Sequence, residues 1–473
     1  MFESEFAGVD EATVVAAIAD LTKAEAATSA RRLAAIAELK RRRVGDEDER
    51  ALWACDGWDC AAAEVAAAMN VSSRRASGQM RMAEALCDHL PAVAALFGRG
   101  ELSARVVAAI TWRTQFITEA PVWALIDVAI AERARGWGPL AEDKLIAAVD
   151  ALVLEFDEAA VMVAKAAARA RDFVVGDRED ENGTTSVWGR LSAADAAVLK
   201  KKITAMVATV CENDPRTAGE RRAAAVGAWS HGNDHLPCAC DSPSCPARAA
   251  QPASKSSVVV NVYTDQATLD GLKTPAPATP KSFGTAILSG TEVMPTPLLA
   301  ELLRDGAKLQ PLCTPAEEPE SGYRPSAKLA RWVRARDLTC RFPGCTTAAE
   351  FCDIDHVIPY PLGATHASNL VCLCRKHHLL KTFWTGDWEL TLRADGAAVW
   401  TSPTGRTYTT HPGSRAYFPD WDTTTGDLPA PPQPQTFSTD RAVMMPQRKR
   451  TRAQDRAARI KAEREQNNSP PPF

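Results

Sequence analysis

Between Cys340 and His378 the chain gathers five of its thirteen cysteines and four of its eight histidines within 39 residues. No other feature restricts so sharply what a segment of this chain can fold into. Cys340-x4-Cys345 spans a turn containing Pro343-Gly344 and pairs with Cys374-x-x-His377. Together they offer four thiolate or imidazole ligands at spacings a tetrahedral zinc accepts. Reduced cysteines in a small apolar core are the alternative, but the two pairs flank a segment with few large apolar side chains.

The stretch EFCDIDHVIPY alternates in strand fashion and predicts a strand that carries Asp355 and His356 at its end, before a Pro-Leu-Gly turn. Downstream, SNLVCLCRKHHLLKTF predicts a helix that begins at Ser368, an N-cap residue type, with Cys374, His377 and His378 one turn apart. One imidazole can finish a zinc site while its neighbour points elsewhere. Cys372 competes with Cys374 as ligand; on a helix the two directions differ by about 200°, which favours Cys374.

Composition sets the frame around this segment. With 473 residues and 50.9 kDa the chain predicts two or three domains. A 46% hydrophobic, 24% charged balance is that of a soluble globular protein. No run approaches the roughly 18 apolar residues of a membrane helix. The acidic N-terminus lacks the features of a secretory signal, so a cytoplasmic location and no membrane partner are expected. An odd cysteine count then argues against a disulfide framework and toward metal sites. Cys55, Cys60, Cys87, Cys211 and Cys313 stand outside the two cysteine groups and read as buried small hydrophobes. The net charge of −4 divides unevenly: residues 1–323 carry −11, whereas 324–382 and 440–473 each carry +5. Two basic islands therefore sit on an acidic body.

Residues 1–250 are Ala-rich and predict a mainly α-helical domain, with Val15, Ile18, Leu33, Ile36 and Leu39 recurring at three- and four-residue steps. Trp112, Trp123 and Trp137 fall on its helices and read as core. Residues 251–315 predict a small α/β extension, 316–322 a linker, and 323–420 a compact α+β domain. Two or three antiparallel strands are expected after residue 386, turning at Asp395-Gly396 and Pro403-Thr404-Gly405. Residues 421–473 hold a Pro-rich spacer and a charged tail with little apolar content, which predicts disorder.

Asp355-His356, Asn369 and His378 resemble the HNH nuclease motif, set in a zinc-stapled ββα-metal (His-Me) finger. YRPSAKLARWVRARDLTCRFPGC with CDIDHVIPYPLGATHASNLVCLCRKHHLLKTFWTGDW is similar to actinobacterial HNH proteins with an N-terminal domain of unknown function 222, among them the mycobacterial thirteen-E-twelve repeat family. This likeness covers about residues 323–420, and a looser match of 30–315 names no activity. It implies a metal-dependent endonuclease that hydrolyses DNA phosphodiester bonds to 5′-phosphate and 3′-hydroxyl ends. By that resemblance His356 is the general base, and Asp355 and His378 hold one catalytic Mg²⁺ or Mn²⁺. Asn369 braces the loop that bears His356. Cys340, Cys345, Cys374 and His377 hold a structural Zn²⁺ worth on the order of 10 kcal/mol to folding. Where the family often has two glycines before the loop threonine, this chain has Gly363-Ala364-Thr365.

Basic residues near the finger, Lys328, Arg331, Arg334, Arg336, Arg341 and Lys381, are candidate phosphate contacts, or for the first five a solvated helix face. Arg448, Lys449, Arg450 and Arg452 read equally as a solubilising end and as a DNA arm. His235, Cys238, Cys240 and Cys245 form a weaker candidate for a second zinc, since Cys-x-Cys strains one tetrahedral site, and unpaired loop thiols are the alternative. The rival to the nuclease is a zinc-stabilised DNA-binding or mobile-element protein that does not cleave. A helical interaction protein that uses the finger as a scaffold is a third reading. Oligomeric state is open in the sequence. The absence of a Gly-x-x-x-x-Gly-Lys loop argues against ATP-driven translocation.

Overall fold

Alanine-rich sequence punctuated by cap residues gives the N-terminal region its helices: α1 (Glu11–Arg43), α2 (Gly57–Met69), α3 (Ser73–Asp88), α4 (Pro91–Gly98), α5 (Ala104–Arg113), α6 (Ala120–Ala134) and α7 (Glu142–Phe156). Asp10, Asp56, Ser72 and Ser103 each accept a hydrogen bond from an amide of the first turn they precede. Asn70 closes α2 in the left-handed region, at φ 52°. Leu33, Met80, Phe97, Ile110, Ile126 and Val149 are buried in one core. Each such side chain contributes roughly 1.5–3 kcal/mol on leaving water. Burial on α1 begins only at Ala26, so Val15 and Ile18 are exposed although the apolar spacing includes them. Trp123 is buried and Trp137 partly so, but Trp112 is 57% exposed, so one of the three expected core tryptophans is at the surface.

The computed structural model describes residues 5–44, 49–134, 136–137, 142–160, 172–176, 185–191, 193–248, 261–273, 286–288, 292–304, 307–384, 386–426 and 445–468. The Pro-rich spacer expected after residue 427 lies outside them. Among the described residues no helix is long and apolar enough to cross a membrane.

Two compact units divide the chain differently from the expected boundaries at 250 and 315. A composite unit joins Met1–Lys165 to Leu309–Phe473, and an inserted unit comprises Ala166–Lys308. The inserted unit holds the antiparallel pair β1 (Asp172–Val175) and β2 (Val187–Arg190), then α8 (Ala193–Val207) and α9 (Ala218–Ser230). An antiparallel sheet of β3 (Val262–Thr264), β4 (Ala286–Leu288) and β5 (Glu292–Met294) follows, with α10 (Gln266–Lys273) and α11 (Thr296–Arg304).

Beyond residue 309 the composite unit continues with α12 (Ala327–Asp337), the antiparallel hairpin β6 (Cys352–His356) and β7 (Leu370–Cys374), and α13 (Arg375–Phe383). The register sets Cys352 opposite Cys374 and His356 opposite Leu370. The helix expected from Ser368 is therefore corrected: five consecutive buried residues, LVCLC, pair as a strand, and the helix starts at Arg375. A short apolar run carries no period that separates buried strand from buried helix. β8 (Glu389–Leu392), β9 (Ala398–Thr401) and β10 (Thr407–Thr410) form the expected meander, its turns placing Gly396 and Gly405 at positive φ. Trp53, Cys55 and Cys60 from the N-terminal region share one core with Trp332, Phe342, Leu380 and Trp400.

The charged tail is a correction as well. Residues Arg452–Asn468 form helix α14, tied to the N-terminal helices by ions. Arg448 and Arg452 pair with Asp56 and Asp59, Arg456 with Glu84, and Arg464 with Asp157. Ile460 adds apolar contact to the helical core. Partly exposed ion pairs are screened by salt. Limited proteolysis within 445–468 should therefore accelerate from low to high ionic strength. The double variant Asp56→Asn/Asp59→Asn, which preserves a capping side chain on α2, should be cut fast at any salt. Cleavage that ignores both changes would assign the docking to Ile460 instead.

Candidate functional site

Four ligand atoms meet where the turn after α12, the end of β7 and the first turn of α13 converge. The Sγ atoms of Cys340, Cys345 and Cys374 and a ring nitrogen of His377 lie within 4.8 Å of one another. His377 Nδ1 is 3.4 Å from Cys340 Sγ and 3.2 Å from Cys374 Sγ, and Cys345 Sγ is 3.9 Å from Cys374 Sγ. Sulfurs bound to one tetrahedral zinc at about 2.3 Å sit about 3.8 Å apart. The set fits zinc and could hold it. Burial disfavours a charged His377, yet hydrogen bonds to Cys345 and Cys374 outweigh it and push its pKa up to about 9. Its other nitrogen, Nε2, lies 3.2 Å from Ser73 Oγ on α3, a partner the local sequence does not advertise. Phe342 stacks on the ring at 4.0 Å. Gly344, at φ +72°, lets this knuckle lie against the N-terminal region, since a Cβ there would meet the Val71 carbonyl oxygen at 2.4 Å. Cys372 is fully buried with its Sγ toward the Val333 carbonyl, away from the cluster. The helical angle between it and Cys374 has no bearing, because both lie on a strand.

At the other end of the hairpin His356 is buried, its Nε2 2.8 Å from Thr365 Oγ1. That hydroxyl donates its one proton to the Gly322 carbonyl at 2.6 Å, so His356 Nε2 carries a hydrogen and Nδ1 keeps the lone pair. Burial lowers the His356 pKa although Asp355 pulls it upward. Tyr323 stacks on the ring at 5.3 Å and 16°. Asn369 accepts from the Ile358 amide at 2.8 Å and donates to the carbonyls of Ile358 and Ala364 at 3.0 and 2.9 Å. It thus braces the loop after His356, where Gly363 lies so close that a Cβ would meet the Ile358 carbonyl oxygen at 2.2 Å.

His378 Nε2 is 3.3 Å from Asp355 Oδ1, and its Nδ1 is 2.8 Å from Asp353 Oδ2. Burial opposes its charge, but the two carboxylates raise its pKa. Asp355 is lowered: burial acts upward, and hydrogen bonding to His378 with the Lys381 charge overcomes it. Lys381 Nζ donates to Asp355 Oδ2 at 2.8 Å and to the His356 carbonyl. Asp353 was not singled out from the sequence; its place two residues before Asp355 on β6, on the same face, is the signal that marks it.

The expected linker is part of this wall. Glu320 pairs with Thr365, Ala316 O accepts from His366 Nε2 at 3.0 Å, and Ser321 O accepts from Tyr360.

Of the candidate phosphate contacts, Lys328 and Arg331 are exposed, and Arg334 is half-buried with Nε on the Ala349 carbonyl. Arg336 and Arg341 are corrected: both are buried and flank Asp337 in an ion triad. Lys381 is spent on Asp355. In the tail, Arg448 and Arg452 are likewise paired rather than free.

In the inserted unit, Cys211, Cys238, Cys240 and Cys245 also place their sulfurs within 4.8 Å of one another and could hold zinc. The fourth member is Cys211, in place of His235. Of the five cysteines read as buried hydrophobes, Cys55 and Cys60 are buried, whereas Cys87 and Cys313 are exposed.

The chain belongs to the DUF222 family: the model for "Domain of unknown function (DUF222)" matches residues 21–337. That match ends at the last residue of α12, before the β6–β7 hairpin. The chain is 50% identical to the uncharacterized protein Rv3776 of Mycobacterium tuberculosis (strain ATCC 25618 / H37Rv), over 99% of this chain and 93% of the relative. It is 48% identical to the uncharacterized protein Rv2100 of the same strain, over 99% of this chain and 92% of that relative. No solved structure matches it.

Proposed function

We propose that the composite unit is a metal-dependent HNH endonuclease acting on DNA phosphodiester bonds. The observation that carries this reading is His356, its tautomer set by Thr365, standing beside Asp355 and His378 on one hairpin–helix element. Asp355 and His378 would hold a divalent ion, Mg²⁺ or Mn²⁺. They offer a carboxylate oxygen and, once His378 gives up its proton, an imidazole nitrogen 3.3 Å apart. Such an ion supplies stabilisation of the charge that develops on the phosphate and the leaving oxygen. His356 Nδ1 takes the proton of the attacking water. Tyr323 and Thr365 hold that ring in plane, and Asn369 keeps its loop in register. Lys328 and Arg331, exposed on α12, meet backbone phosphates and make binding fall with salt.

One observation favours the non-cleaving alternative: the Lys381 ammonium already neutralises Asp355. Both readings meet in one assay, the nicking of supercoiled plasmid by purified full-length protein with Mg²⁺, with Mn²⁺ and with EDTA. The expected result is cleavage that needs added divalent metal and stops in EDTA while bound zinc is retained. If well-folded, zinc-loaded protein shifts DNA in a salt-dependent gel assay but cuts nothing with either metal, the binding-only reading stands. Neither cleavage nor a shift would leave the scaffold reading.

A further inference from the structure

We propose that the inserted unit binds a second zinc ion through four cysteine sulfurs, Cys211, Cys238, Cys240 and Cys245, and that this ion closes the α8–α9 segment. Cys211 lies just beyond α8, and the other three follow α9, so the cluster joins the chain across both helices. Cys211 Sγ and Cys238 Sγ are 3.4 Å apart, and all four sulfurs fall within 4.8 Å. That spread surrounds the roughly 3.8 Å edge of a ZnS4 tetrahedron. Cys238 and Cys240 are buried, and Cys211 and Cys245 half-buried.

A second observation is independent of the sulfur spacing. The Cys238 amide donates to the Ala247 carbonyl at 2.8 Å and the Cys245 amide to the Ser242 carbonyl at 3.2 Å, so backbone hydrogen bonds fold the loop that carries three of the sulfurs. Asp214 fixes this backbone: Oδ2 accepts from the Ala239 amide at 2.9 Å, and the carboxylate pairs with Arg216 and Arg221. The loop carrying Cys238 and Cys240 is thereby clamped to the turn carrying Cys211.

The surroundings give the ion its task. Among the described residues, the apolar core beside the cluster has three buried members, Met206, Ala225 and Leu236. So small a core needs a staple to hold two helices and a loop. An all-sulfur tetrahedral set favours zinc or iron, and with no cluster sulfide in the proposal the ion assigned is zinc.

The test is metal analysis of the full chain, purified under reducing conditions. Two zinc ions per chain are expected, one from each cluster. Cys211→Ser and Cys240→Ser should each leave one, Cys340→Ser should leave one, and His235→Ala should leave two. If the serine variants fail to fold, zinc-edge absorption of the wild-type chain decides. An average of about 3.5 sulfurs per zinc at about 2.3 Å indicates both sites, and three sulfurs with one nitrogen indicates the Cys340 cluster alone. A single zinc per chain, a disulfide among the four cysteines, or bound iron in place of zinc would overturn the proposal.

Discussion

His356→Ala should lower plasmid nicking by about 100-fold or more, the range a positioned general base supplies, while zinc per chain stays at the wild-type value. The separation follows from the hairpin. His356 and Cys352 sit at opposite ends of β6, four residues or about 13 Å of strand apart, and the thiolate cluster is at the Cys352–Cys374 end. The His356 ring contacts Thr365, Tyr323 and Tyr360 and is a member of neither large apolar core. Thr365→Val, which cannot accept from Nε2, should retain zinc and lose part of the rate, because the imidazole is then free to present the wrong nitrogen. Full activity in His356→Ala would place the base elsewhere and remove the nuclease assignment of this hairpin. A fall in bound zinc alongside the rate would instead mean that the two sites are one structural unit.

Asp337→Asn should destabilise the composite unit by about 3–5 kcal/mol, the cost of removing one member of a buried ion group. The Asp337 carboxylate accepts from Arg336 at 2.8 Å, from Arg341 at 2.7 Å and from the Cys372 amide at 2.8 Å. Arg336 also donates to the carbonyls of Ala367 and Leu370, and Arg341 to those of Gly396 and Thr410. One carboxylate thus neutralises the two guanidinium groups that fasten α12 to β7 and to the β8–β10 meander. Asparagine keeps the volume and leaves both cations uncompensated in a dry core. Burial alone would raise the Asp337 pKa, but the charges of Arg336 and Arg341 hold it below the ordinary 3.8. With the folded value depressed, the stability it contributes is complete above the unfolded value and drains away as pH falls through the folded one. Denaturant midpoints, followed by tryptophan fluorescence, should drop at neutral pH in the variant and lose this part of the acid slope. A midpoint within about 0.5 kcal/mol of wild type would show that the triad is not needed.

Local chemistry made part of this site legible in the sequence. Cys340, Cys345, Cys374 and His377 announce themselves because thiols are rare and their spacings short, whereas Asn369 is marked only by the HNH resemblance. What escaped depends on partners far along the chain. Arg336 and Arg341 look like any basic helix face until Asp337 and four carbonyl oxygens surround them. Cys211 is 27 residues from Cys238 and lacks a local companion to mark it as a ligand. The tail has no apolar stripe to declare its helix, because its docking rests largely on acidic residues some 300 to 400 positions earlier. LVCLC shows a further limit, since five apolar residues in a row satisfy strand and helix alike.

The composite unit has a consequence for how this protein is made. Trp53, Cys55 and Cys60 contribute to a core completed by Leu380, Trp400 and Met445. A ribosome that has released the first 165 residues has therefore exposed only the smaller share of this core, and it must translate the whole inserted unit before the rest emerges. During that interval the N-terminal helices wait with an unfilled apolar face and unmatched acids at Asp56 and Asp59. Domains generally fold as units, N-terminal first, during synthesis; here the order is reversed for the outermost layer. Helix α14, made late, thus packs on helices made early.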